Sequence, residues 1–348
     1  MKLIEKYKQF LPINEKTPMI SMGEGFTPLI KSNNLVDDIG CKELYFKLEG
    51  CNPSGSFKDR GMVMAVSKAA EKKVTKIICA STGNTSASAA AYGAYCGIET
   101  IVLIPEGNIA LGKLSQAVAY GAKIISVKGN FDQALDLVKK ISENQESVEL
   151  VNSLNPNRIQ GQQTAAFEII DELGYAPDEM FLPVGNAGNI TAYWRGYKVY
   201  NDTKNTKLPK MIGFQAENSA PIVNNKTVQN PQTIATAIRI GNPASWDQAK
   251  IALDESDGSI HAISDDEIIN AYKLIASKEG IFVEPASSIS IAGLFYLKKQ
   301  NYDFSNKTVV CVLTGNGLKD PEVANKYLEF KQHNINPTLK DLTRILDL

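Results

Sequence analysis

A chain of 348 residues, 43% hydrophobic and 22% charged, is long enough to bury a large core and, by the usual size of domains, two of them. Its 37 basic and 38 acidic residues leave a formal net charge of -1, so no charge excess draws it to nucleic acid or to an anionic membrane. Two histidines, His261 and His333, argue against a histidine-rich metal site or a Ser-His-Asp triad, and five cysteines without Cys-x-x-Cys spacing read as reduced thiols of a cytoplasmic protein.

The first residues, MKLIEKYKQFLPINEK, mix charges with apolar positions and read as a short amphipathic helix, unlike a secretory signal. No apolar run approaches the roughly 18 residues of a membrane span. SMGEGFTPLI turns into a strand, and KELYFKLE alternates as a strand that delivers the chain to EGCNPSGSFKDRGM, Glu49 to Met62. There a loop of turn formers runs into a helix predicted over 57–73, with Ser54 or Ser56 as its cap. Lys58 falls in the first helical turn, where the macrodipole opposes an ammonium. A lysine so placed is either an ordinary surface residue or one kept neutral, as Schiff-base chemistry requires.

Strands and helices then alternate. The pattern predicts strands at 76–80, 99–105, 123–127, 148–152, 179–184, 210–217 and 307–315, and helices at 84–96, 110–120, 131–145, 158–173, 188–201, near 232–254, 265–279 and 285–299. Such alternation builds parallel sheets covered by helices.

Several turns after strands carry candidate chemistry. In ASTGNTSAS, Ser81, Thr82, Asn84 and Thr85 surround Gly83 at a helix start, which reads as a carboxylate receptor or simply as a well-capped helix. In PVGNAGNI, Gly185, Asn186, Ala187, Gly188 and Asn189 form a small-residue turn whose backbone N–H groups suit an anion, though many such turns only redirect the chain. VNSLNPNRIQGQQTAAFE supplies Ser153 and Arg158, whose planar fork matches phosphate oxygens or a surface carboxylate. Thr314 ends a strand in LTGNGLKD. No GxxxxGK[ST] occurs, which argues against a nucleoside triphosphate.

Together these stretches resemble the pyridoxal-phosphate enzymes of the tryptophan synthase beta class (fold type II), most of all the threonine synthases, from about Gly23 to Ala324. The resemblance implies an α/β fold of two domains, each a mainly parallel sheet flanked by helices, with pyridoxal 5'-phosphate in the cleft between them. The expected boundaries are residues 1–56 and 154–348 for a large cofactor-binding domain and 57–153 for a small inserted one. It further implies that Lys58 holds the cofactor as a Schiff base and is the catalytic base. Gly185, Asn186, Ala187, Gly188 and Asn189 would bind the cofactor phosphate, Asn84 the ring 3-oxygen and Thr314 the ring nitrogen. Ser81, Thr82 and Thr85 would take the substrate carboxylate, and Ser153 and Arg158, with Lys113 and Asn186 as further candidates, the substrate phosphate. Ala237 and Ile238 would cover the ring, while Glu284 either positions it or caps the following helix. The implied reaction, catalysed by a homodimer, is conversion of O-phospho-L-homoserine and water to L-threonine and phosphate. A serine or threonine dehydratase on the same fold is the alternative.

Overall fold

The computed structural model describes the backbone of residues 1–106, 111–129, 131–328 and 332–346, with side chains for all of these but 111–113 and 132. Its strands are β1 (Leu29–Lys31), β2 (Glu43–Leu48), β3 (Lys76–Ala80), β4 (Glu99–Pro105), β5 (Lys123–Val127), β6 (Val148–Leu150), β7 (Glu179–Pro183), β8 (Lys210–Ala216), β9 (Ser259–Ile263) and β10 (Thr308–Leu313). They form two sheets, in the orders β1-β2-β10-β7-β8-β9 and β5-β4-β3-β6. The β1–β2 pair at one edge is antiparallel, and every other pairing is parallel. Helices on both faces bury the central strands completely. β7 and β10 accordingly read as unbroken buried runs, EMFLP and TVVCVL, where a half-exposed strand would alternate.

The expected elements differ from the observed ones where local pattern and tertiary packing disagree. The helix predicted over 158–173 is two, Pro156–Gln162 and Thr164–Leu173, divided at Gln163. Of the helical stretch expected near 232–254, only Trp246–Glu255 is α-helical, preceded by a short 3-10 turn at Thr236–Ile238. Gly241 explains part of this. A Cβ there would lie 1.8 Å from the carbonyl oxygen of Val228, so the loop closes backbone to backbone. The edge strand β9, SIHAI, was not expected, because it is half-buried along most of its length and carries no clear apolar pattern.

The helix bearing Lys58 spans Lys58–Glu71, and its N-cap, Phe57, receives no side-chain cap from Ser54 or Ser56. Ser54 instead binds the buried Asp59 carboxylate through both its amide (2.6 Å) and its hydroxyl (2.6 Å). This helix lies hard against Pro156–Gln162. A Cβ on Gly161 would meet the Arg60 carbonyl oxygen at 2.1 Å, and one on Gly61 would meet that of Arg158 at 2.7 Å. Only glycine at both positions allows that approach.

Beneath the contact sits a buried charge cluster. The Arg60 guanidinium reaches Glu49 (Nε, 2.7 Å) and Glu168 (Nη2, 2.6 Å), and Lys47 reaches Glu168 at 2.9 Å. Glu168 also accepts from the Phe26 amide at 2.7 Å, and Arg60 from its side donates to Thr27 Oγ1 at 2.9 Å. Paired in this way, charges that would otherwise be prohibitive inside a core tie the N-terminal segment to the Lys58 helix. Among the described residues, no helix is long and apolar enough to cross a membrane.

Candidate active site

The turns singled out in the sequence all follow C-terminal ends of parallel strands, where open α/β sheets place their ligands. ASTGNTSAS follows β3, Ser153 follows β6, the glycine turn follows β7, and Thr314 follows β10. The first two belong to one sheet and the last two to the other.

Backbone pairing brings the lysine loop to Thr314. The Phe57 amide donates to the Thr314 carbonyl at 3.0 Å, and the Asn316 amide to that of Gly55 at 3.0 Å. Gly50 permits the approach, since a Cβ there would lie 2.7 Å from the Asn316 nitrogen. Lys58 itself is partly exposed, with Nζ 4.3 Å from the centre of the Phe57 ring. Among the described residues its amine has no hydrogen bond or ion pair. Desolvation foremost, and then the positive charge of Arg158, push its pKa down to about 7, against a smaller opposing pull from Glu284. A large fraction of this amine is neutral at physiological pH.

Arg158 is fully buried, yet only Nη1 is engaged, donating to the Val151 carbonyl at 3.1 Å, while Nε and Nη2 have no partner. Burial pushes its pKa down to about 10, opposed by Cys79 and Asp59. A buried guanidinium with two idle donor groups is a poor structural device and a good receptor for an oxyanion. The surface ion pair considered for it is thus not what the fold provides. Ser153, partly exposed, lies next to Asn152, whose amide accepts from the Ala80 nitrogen and donates to its oxygen, both at 2.9 Å. That clasp sets the Ser153 turn beside Ser81, Thr82 and Thr85, which are also partly exposed.

A second anion receptor follows β7. Ala187 holds a left-handed conformation (φ 63°), uncommon for a residue with a Cβ, and caps the helix Gly188–Lys204. The free N–H groups of the first helical turn point out of that end. Asn189 is buried with both amide atoms unpartnered. Asn186 braces the turn, its carbonyl accepting from the Ser245 amide at 3.1 Å and its side chain from that of Ala244 at 3.4 Å. The backbone of Ile238 comes within 3.0 Å of a Cβ placed on Gly185, and Ile159, next to Arg158, within 3.3 Å of one on Gly188. Ala237 and Ile238 therefore cover the turn, and the two anion receptors are neighbours. The side chain of Lys113 lies outside the described residues.

Asn84 and Thr314, from different sheets, meet on one residue whose part the sequence left open. Glu284 does not cap the helix Pro285–Lys299 with its side chain. Its carboxyl receives Asn84 Nδ2 at 3.0 and 3.3 Å and lies 3.1 Å from Thr314 Oγ1. Burial pushes its pKa above the usual carboxylate range, opposed chiefly by Asn84 and Lys319. The acidic residue before a helix gave no sequence signal for this, because its partners are remote in the chain.

The residues present fit a phosphorylated cofactor carried on a lysine. They offer an amine with its pKa lowered to about 7, an N–H-lined turn with an unsatisfied amide, and polar groups beyond the strand ends of both sheets that meet at Glu284. Comparison with known proteins agrees. A family model described as pyridoxal-phosphate dependent enzyme matches residues 20–315. A threonine synthase of Halalkalibacterium halodurans is 58% identical over 337 residues, 97% of this chain and 93% of that protein. One from a Bacillus species is 54% identical over 345 residues, 99% of this chain and 97% of that protein. The structure of maize serine racemase superposes with a TM-score of 0.75 at 20% identity, covering 93% of this chain and 95% of that one, and so shares the fold. With its lysine, its glycine turn and its two sheets in the same molecule, the chain belongs to the threonine synthase family of pyridoxal-phosphate dependent enzymes.

Proposed function

We propose that the chain converts O-phospho-L-homoserine and water to L-threonine and phosphate, with Lys58 as its catalytic base. The observation that carries this reading is the presence of two anion receptors side by side: the turn at Gly185–Asn189 and the idle guanidinium of Arg158. A cofactor phosphate uses one. A dehydratase acting on serine or threonine has no phosphate for the other, whereas a phosphorylated substrate does.

Bound pyridoxal phosphate supplies an electron sink that acidifies the substrate protons at Cα and then Cβ. Gly185, Asn186, Ala187, Gly188 and Asn189 hold its phosphate, Asn84 its ring oxygen, and Thr314 its ring nitrogen. Ser81, Thr82 and Thr85 hold the substrate carboxylate. The Lys58 amine takes the proton from Cα, and with a pKa near 7 it also gives protons back readily. Loss of the Cβ proton, for which the Lys58 amine is again the base at hand, leaves the electron pair that expels phosphate from Cγ into the donors of Arg158 and Ser153; Cγ is then protonated, water adds its hydroxyl at Cβ, and Cα takes a proton back. Holding the departing group in a buried site keeps its charge stabilised as it develops.

The test is to incubate the protein with cofactor and O-phospho-L-homoserine and to measure phosphate and threonine together. Equal yields support the synthase. Phosphate with 2-oxobutyrate in place of threonine means elimination without water addition, and oxo acid from serine or threonine with no phosphate release favours the dehydratase.

The proposal extends to a homodimer in the cytoplasm and to domain boundaries of 1–56 with 154–348, and 57–153. The second sheet supports the boundaries, since its strands all lie between Lys76 and Leu150. Sedimentation, cell fractionation and limited proteolysis test these three points.

A further inference from the structure

Glu284 is 4% exposed, and its carboxyl spans the two sheets. Asn84 Nδ2 is nearer Oε2 (3.0 Å) than Oε1 (3.3 Å), whereas Thr314 Oγ1 is 3.1 Å from Oε1. The two oxygens are therefore inequivalent: Oε2 faces Asn84 Nδ2, which can only donate, whereas Oε1 shares Asn84 Nδ2 at the longer distance and also faces a hydroxyl that can donate or accept.

A threonine hydroxyl has one hydrogen. With Glu284 ionised, Oε1 is an acceptor only, the Thr314 hydrogen is drawn to it, and Thr314 presents lone pairs to the cleft. An unprotonated pyridine nitrogen, itself an acceptor, cannot bond to those. With Glu284 neutral, Oε1–H donates to Thr314 Oγ1 and the threonine hydrogen is released from the carboxyl. Ser287 is the competing partner: its Oγ accepts from the Gly315 amide at 2.9 Å and keeps a second lone pair for the Thr314 hydrogen at 3.0 Å, while its own hydrogen has the Gly315 carbonyl at 3.3 Å or Thr314 Oγ1.

We propose that Glu284 is a positioning residue that acts as a neutral acid, donating from Oε1 to Thr314 Oγ1 and so directing the threonine hydrogen to the cofactor ring nitrogen, while Oε2 orients Asn84. The inference rests on the reading that Thr314 meets that nitrogen and deepens it. Burial of Glu284 favours the neutral form, as does the negative charge of Asp320, while the hydrogen bonds from Asn84 and Thr314 and the Lys319 amine oppose it. The Lys58 amine also faces Glu284, and its pKa is raised by any negative charge there.

The test is titration of the cofactor-free apoprotein with pyridoxal 5'-phosphate, following the visible band, alongside apo and holo melting temperatures. Glu284→Gln reproduces the neutral acid, its carbonyl accepting from Asn84 and its NH2 donating to Thr314. It is expected to bind the cofactor within about twofold of the parent, with the band unmoved. Glu284→Ala is expected to weaken binding about threefold to tenfold, the range for one or two lost hydrogen bonds, and to narrow the holo–apo melting gap. A Glu284→Gln protein as weak as Glu284→Ala would overturn the neutral-acid assignment, and a Glu284→Ala protein that binds like the parent would overturn the positioning role. Thr314→Val separates the two layers. It should weaken binding by itself and make Glu284→Ala add little more. Unchanged binding in Thr314→Val would overturn the proposal and locate the fault in the reading of Thr314.

Discussion

Lys58 and Arg158 are two basic groups that make no direct ion pair among the described residues, and both should be felt in the apoprotein. An unfolded lysine titrates near 10.5 and folded Lys58 at about 7, so between these values the unfolded chain binds more protons and stability rises with pH. Below about pH 7 the destabilisation is complete, and above about 10.5 it is absent. Apo Lys58→Met should therefore be more stable than the parent by about 4 kcal/mol at pH 7, with the gap closing as pH approaches 10.5; urea unfolding across that range is the check. Arg158→Met should lower kcat/KM for O-phospho-L-homoserine about 100-fold or more without lowering the apo urea midpoint, because the guanidinium it removes is largely unpaired. Both positions were legible in the sequence, since a lysine at a helix start and an arginine in NPNR carry local signals. Glu284 was not. Its partners stand 200 and 30 residues away, and a carboxylate ahead of a helix reads first as a cap.

At the scale of elements, the placing of Lys58 depends on how closely its helix meets Pro156–Gln162. Gly161→Ala would set a methyl against the Arg60 carbonyl, 2.1 Å away, and force the helices apart. Such overpacking costs about 1–3 kcal/mol. The expected result is a melting temperature lowered by several degrees and a weaker cofactor band, measured on the same sample. Most strands and helices were legible because their apolar positions follow one period from end to end; strands β3, β4 and β5 begin and end where the pattern put them. The exceptions share a cause. The 232–245 segment has helix-compatible residues, yet Gly241 is drawn against Val228 and Ile238 against the turn at Gly185, so tertiary contacts override a weak local preference. Gln163 divides a helix that periodicity shows as continuous, and β9 is recognisable only beside β8.

Across the whole molecule, the Arg60 cluster joins the N-terminal segment, β2, the Lys58 helix and the helix Thr164–Leu173. Glu168→Ala would leave Arg60 short of one partner and Lys47 without its carboxylate, and should destabilise the protein by about 3–5 kcal/mol in urea. Desolvation alone would raise the Glu168 pKa, but Arg60 and Lys47 outweigh it and hold the value at about 2, below the ordinary 4.5. The stability this carboxylate contributes is therefore full above about pH 4.5 and lost as the pH falls towards 2. The strand order has another consequence, for the order in which the protein is made. β3 to β6 can pair as soon as Leu150 has left the ribosome, but β2 has no parallel neighbour until β10 follows it, about 265 residues later. At roughly 5–20 residues per second that is an interval of about 13–50 s during which Leu44 and Phe46 lack their cover. A nascent chain of this topology has to be shielded or held soluble over that time, and Lys58, made early, reaches its working position only when Thr314 arrives to receive the Phe57 amide.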